Sequence, residues 1–162
     1  MQGRSHSRSI AAGLLASALL AAAPMPASAQ NVQITQLSDV SFGTITNMGV
    51  DQVRSQSVCA YSGLLGGRYS LTATGSGAGG AFTLSNGASV LPYEVQWNTS
   101  AGQSSGTNLV SGTALTGQTV LLSCPILQTT NSSLIVILRA NALSIATAGN
   151  YGGTLTIMLA AN

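Results

Sequence analysis

Along most of the chain, apolar side chains recur at every second position. Tyr69, Leu71 and Ala73 alternate with Ser70, Thr72 and Thr74, and Tyr93, Val95 and Trp97 repeat the pattern. Val120, Leu122 and Cys124 do the same, and Leu155, Ile157 and Leu159 alternate with Thr154, Thr156 and Met158. A period of two marks a strand with one buried face. Val32 and Ile34 start the series, and Val40 and Phe42 continue it toward Gly43. A strand from Gln52 to Tyr61 would put Ser57, Cys59 and Tyr61 on one face. Leu134 to Leu138 is unbroken apolar sequence, the mark of a strand covered on both faces. No stretch beyond the N-terminal region sustains a helical period.

Turn residues separate these runs. Ser62 to Gly67 and the glycine-rich stretch Gly75 to Gly80 read as turns. Asn86-Gly87 predicts a tight hairpin with two positive-φ residues. Pro92 cannot donate a ladder hydrogen bond, so its strand is expected at an edge or with a bulge. Asn98 to Gly117 is polar and reads as a long loop, with at most a short strand near Leu109-Val110. Seven or so short strands with turns between them predict an all-β, immunoglobulin-like sandwich.

The N-terminus is different in kind. Arg4, His6 and Arg8 precede an apolar run from Ile10 to Ala23, and Pro24 and Pro26 lead into Ala27-Ser28-Ala29. A basic head, a greasy centre and small residues before a break make a secretory signal peptide. The run is shorter than the roughly 18 residues of a spanning helix, so no membrane anchor is expected. Cleavage between Ala29 and Gln30 would divide the chain into a leader, residues 1–29, and one domain, residues 30–162.

Removing the leader changes the available chemistry. The precursor has one histidine and a formal net charge of +2, but His6, Arg4 and Arg8 leave with the leader. Arg54, Arg68 and Arg139 then balance Asp39, Asp51 and Glu94, and lysine is absent. Scattered arginines make no basic patch for nucleic acid. Without histidine or lysine, the usual nucleophile–base arrangements have no base. The three carboxylates are too few for a typical calcium cage and read as turn residues and strand ends, so no enzyme, metal or cofactor is expected. A neutral surface rich in Ser, Thr, Asn and Gln does little to resist association.

Cys59 and Cys124 are the only cysteines. In an exported chain they are expected to pair, because the compartment is oxidising. Closing a loop of about 65 residues would stabilise the fold by about 4 kcal/mol in the chain-entropy account. Asn98-Thr99-Ser100 and Asn131-Ser132-Ser133 match the glycosylation acceptor pattern, a common chance match in so hydroxyl-rich a chain. Trp97 reads first as core and second as a platform for a sugar ring.

Several short motifs occur in a telling order. Val40-Ser41-Phe42-Gly43 is followed by Val58-Cys59, Gly67-Arg68-Tyr69 and Leu91-Pro92-Tyr93, and Gly149-Asn150-Tyr151-Gly152-Gly153-Thr154-Leu155-Thr156 comes near the end. The chain thereby resembles the spore coat protein U domain family, which includes subunits of archaic chaperone–usher pili. The resemblance spans roughly residues 40 to 160. It implies a sandwich lacking its last strand, completed by a periplasmic chaperone in transit and by a neighbouring subunit in the fibre, a form of β-augmentation. Leu155, Ile157 and Leu159 would then line the edge of the acceptor groove, and an outer-membrane usher would assemble the fibre. The expected location is the periplasm in transit and then the cell surface.

Two features depart from the family. No cysteine precedes Phe42 to pair with Cys59, and only Gln30 to Ser41 lie between leader and Phe42. So short a segment shows no clear spare strand to donate, which makes a tip or minor position at least as plausible as a shaft position. The competing reading is a self-complete secreted sandwich that binds glycan or protein through its loops.

Overall fold

A computed structural model describes residues 32–63, 67–119 and 129–162. The leader and its cleavage point at Ala29 and Gln30, the centre of the Ser62–Gly67 turn, and the strand expected at Val120, Leu122 and Cys124 lie outside the described residues.

Two sheets pack face to face. The larger has the order β1 (Val32–Thr35), β2 (Gln52–Ser62), β9 (Ser132–Leu138), β6 (Glu94–Asn98), β7 (Thr107–Asn108). The smaller has the order β10 (Leu155–Ala161), β3 (Arg68–Gly75), β8 (Ala114–Thr119). A separate hairpin pairs β4 (Thr83–Ser85) with β5 (Val90–Pro92), and one helical turn, α1, covers Ala140–Leu143. Every strand pairing among the described residues is antiparallel.

Alternation sets the core. Tyr69, Leu71 and Ala73 of β3 are fully buried and meet Val58 and Ala60 of β2, Val95 and Trp97 of β6, and Leu134, Val136 and Leu138 of β9. The indole Nε1 of Trp97 donates to the Tyr69 hydroxyl at 3.1 Å, with the two rings edge to face. Burial pushes the Tyr69 phenol up, against the pull of its Ser132 and Trp97 hydrogen bonds, so it stays neutral.

β9 is buried at every position, as its unbroken apolar run predicts. The polar segment 99–106 is bonded to the Ser133 end of the strand's second face. Gln103 N–H donates to Ser133 Oγ, Ser133 Oγ donates to the Ser100 carbonyl, and Gly102 N–H donates to Ser57 Oγ. Ser55 Oγ bonds the Gln103 carbonyl, and Gly106 N–H reaches the Gln96 side chain. What reads in sequence as a long loop is tied across that face by hydrogen bonds to Ser55, Ser57, Gln96 and Ser133.

Four local expectations are corrected. The run from Val90 to Trp97 is not one strand: β5 ends at Pro92, and β6 begins at Glu94 in another sheet. Pro92 thus closes a strand paired only with β4, where its missing N–H costs nothing. The Asn86-Gly87 turn has a four-residue connection in which only Gly87 has positive φ. Asn86 uses its side chain there, accepting from Ser89 N–H at 2.8 Å. Strand structure also reaches into the expected loop, since β8 starts at Ala114, while the expected Val40–Phe42 strand is irregular.

Candidate functional site

Among the described residues, β10 is an edge strand of the smaller sheet. Among the described residues β10 pairs with β3 alone, in a register running from Leu155↔Gly75 to Ala161↔Tyr69. Leu155, Ile157 and Leu159 pack against the core yet remain half-buried, whereas the inward residues of β3 are fully covered. On the opposite sheet, β1 is also an edge strand, and it lies near β10 without joining its ladder. Val32 and Ile34 of β1 are partly buried against the same core. One side of the sandwich therefore has two edge strands, each with apolar side chains turned inward. Leu155, Ile157 and Leu159, the residues singled out in the sequence, are the inward-facing apolar residues of β10.

The β10 edge is positioned by the glycine-rich motif before it. Gly152 and Ser85 exchange backbone hydrogen bonds at 2.8 and 2.9 Å, tying the β4–β5 hairpin to the start of β10. A Cβ on Gly153 would meet Ser76 Oγ, Leu84 Cδ2 and the Thr83 carbonyl at 3.0–3.1 Å, so glycine allows this close approach. Tyr151 packs against the core and donates its hydroxyl to the Thr147 carbonyl at 3.0 Å.

The segment between β1 and β2 is held by side chains. The Gln56 amide accepts from Ser38 N–H and Oγ and donates to the Ser38 carbonyl. The Arg54 guanidinium donates to the carbonyls of Ser41 and Phe42 and lies 5.5 Å from the Phe42 ring centre. Phe42 and Ile45 are thereby set against the core.

Residues read as unreactive have structural partners. Arg139 bridges Asp51 at 2.7 Å and also bonds Glu94, joining the start of β2 to the start of β6. Asp51 accepts the Ala140 N–H as well, and that bond, with Arg139, holds its carboxyl below the usual range. Sequence reading missed this clamp, because nothing local links positions 51, 94 and 139. Trp97 is 1% exposed, so it is core and not a sugar platform. Asn131 is committed to the backbone of Ala60, as both donor and acceptor, and the Ser132 after it is buried. Cys59 is buried in β2, and Cys124 lies outside the described residues. No helix among the described residues is long and apolar enough to cross a membrane.

No family model matches the chain, and no curated protein matches it. Solved structures do. One belongs to a chaperone–tip adhesin complex described as vital for synergistic activation of CFA/I fimbriae biogenesis. It is 21% identical with a TM-score of 0.56, over 82% of this chain and 42% of that one. This chain thus spans less than half the length of that neighbour. Another is the P pilus rod subunit PapA, 17% identical with a TM-score of 0.44, over 81% of this chain and 99% of that one. The fold is an immunoglobulin-like β-sandwich of the kind seen in pilus proteins.

Proposed function

We propose that the chain is a structural subunit of a secreted surface pilus, a tip or minor subunit, that is completed by a strand from another protein along β10. The observation that carries this reading is that, among the described residues, β10 has one strand neighbour and Leu155, Ile157 and Leu159 are only half-buried. An added strand would satisfy the exposed backbone groups and finish covering those side chains. In this reading the sandwich is incomplete, and the chain is of the spore coat protein U type. Its partners are a periplasmic chaperone, an outer-membrane usher and neighbouring subunits. The leader is cleaved between Ala29 and Gln30, and Cys59 pairs with Cys124. The protein passes through the periplasm to the cell surface and performs no catalysis.

The test is production of the mature chain with and without a candidate chaperone. The expected result is no stable monomer when the chain is made alone and a stable one-to-one complex with the chaperone. A stable monomer with no bound strand would overturn the reading.

A further inference from the structure

We infer that the open edge of β10 is self-complementary and pairs with β10 of a second copy, antiparallel, about a two-fold axis through Met158. This goes beyond donor-strand completion, since it concerns the state of the chain when no donor is present.

The direction of the backbone groups follows from two bonds. Asn162 N–H donates to the Arg68 carbonyl at 3.0 Å, in the same register as the rest of the β10–β3 pair. Directly opposed residues that bond in this way alternate with residues whose groups point the other way. Thr156, Met158 and Ala160 therefore spend their backbone groups on β3. Leu155, Ile157, Leu159 and Ala161 direct theirs to the free edge. The far side of β3 agrees, because the Ala73 carbonyl accepts from Gly112 N–H on the β8 side.

A second copy can satisfy that edge only in registers that oppose odd residues to odd residues. With the axis at Met158, Leu155 faces Ala161 of the second copy and Ile157 faces Leu159, each pair exchanging two hydrogen bonds. A slip of two residues in either direction leaves one of these pairs unmade. Pairing also continues both faces: the inward apolar row meets its counterpart, and Met158 meets Met158 on the outer face, where it is 61% exposed.

Edges that must not pair are normally protected by charge, proline, bulges or short length. The other described edges have such devices. β7 has two residues, β5 ends at Pro92, β8 carries a register shift opposite Tyr69–Leu71, and β1 stops at Gln36 with φ 65°. β10 has seven residues and neither charge nor proline. Nothing electrostatic opposes a second copy, because the charges of residues 30–162 balance.

The test is cysteine cross-linking in the mature chain. Across the two-fold axis, opposed Met158 residues form a non-hydrogen-bonded pair, with Cα atoms about 4.5 Å apart, inside the disulfide range. Met158→Cys is expected to give a covalent dimer on mild oxidation. Thr156→Cys and Ala160→Cys should each give no covalent dimer alone and should cross-link when mixed. Equal cross-linking of all three single variants, or none by Met158→Cys, would overturn the inference. Adding the chaperone separates the two proposals. A cross-link lost on chaperone binding supports both. One that persists in a chaperone-bound chain supports self-pairing and counts against β10 as the acceptor. Chaperone binding with no cross-link in either state overturns self-pairing alone.

Discussion

β9 and β10 are both seven-residue strands, and their surroundings differ sharply. β9 is flanked by β2 and β6 and packs on the core with one face, and segment 99–106 is bonded to the Ser133 end of the other. β10 has β3 on one side, and its inward residues stay half-buried. Among the described residues β9 has two strand neighbours and is buried throughout, whereas β10 has one and is half-covered. Folding energy therefore concentrates where the chain meets itself, and capacity for a partner lies where it does not.

The strongest way to break the comparison is to place one charge in each strand. Ile135→Asp puts a carboxylate at a fully buried position, and the expected cost of about 5 kcal/mol or more approaches the stability of a whole domain. No soluble folded protein should be recovered. Met158→Asp places the same charge on the exposed face of β10 and should change stability by about 0.5 kcal/mol or less, while suppressing the self-paired dimer on sizing columns.

Trp97→Ala should cost about 3–5 kcal/mol in urea unfolding, because it opens a cavity and removes the donor to Tyr69. Ile157→Ala, in the half-covered strand, should cost about 1 kcal/mol in the free chain, since only part of that side chain leaves water. Its cost should rise toward about 2 kcal/mol once a strand covers the edge. Equal costs in the two states would mean that the strand binds elsewhere.

The smallest expected effect is at the Arg139 clamp. Asp51 is held below its ordinary 3.8 by the Ala140 N–H and by Arg139, so its folded form binds protons less readily than the unfolded chain. That contribution is present above about pH 4 and is lost as the pH falls through the depressed value. Asp51→Asn should be slightly less stable at neutral pH, and the gap should close on acidification. A gap that widens in acid would mean that the clamp does not contribute in this way.

Much of this was legible in alternation. Tyr69, Leu71 and Ala73 are buried where a period of two puts them, and the unbroken run Leu134–Leu138 lies in the strand covered on both faces. Other features misled, for local reasons. Val90 to Trp97 keeps its alternation across Pro92 although the chain changes sheets there. Gly117, with φ of 73°, and the β8 register shift obscured a strand that begins at Ala114. Ser100 and Gln103 read as exposed loop and their residues are exposed, but their backbone carbonyl and N–H bond the buried Ser133 hydroxyl, a tether that no side chain in the segment announces.

The sequence by itself determined which side chains of β3, β6, β9 and β10 turn inward, because that depends on the two-residue period of an extended chain. It also determined the chemistry missing from residues 30–162, which contain neither histidine nor lysine. Only the tertiary structure decided that β9 is a centre and β10 an edge, and that Arg139 joins Asp51 to Glu94. Leu155, Ile157 and Leu159 carry the alternation of any half-buried strand. Whether a strand has one neighbour or two depends on pairing between distant segments, which alternation does not encode.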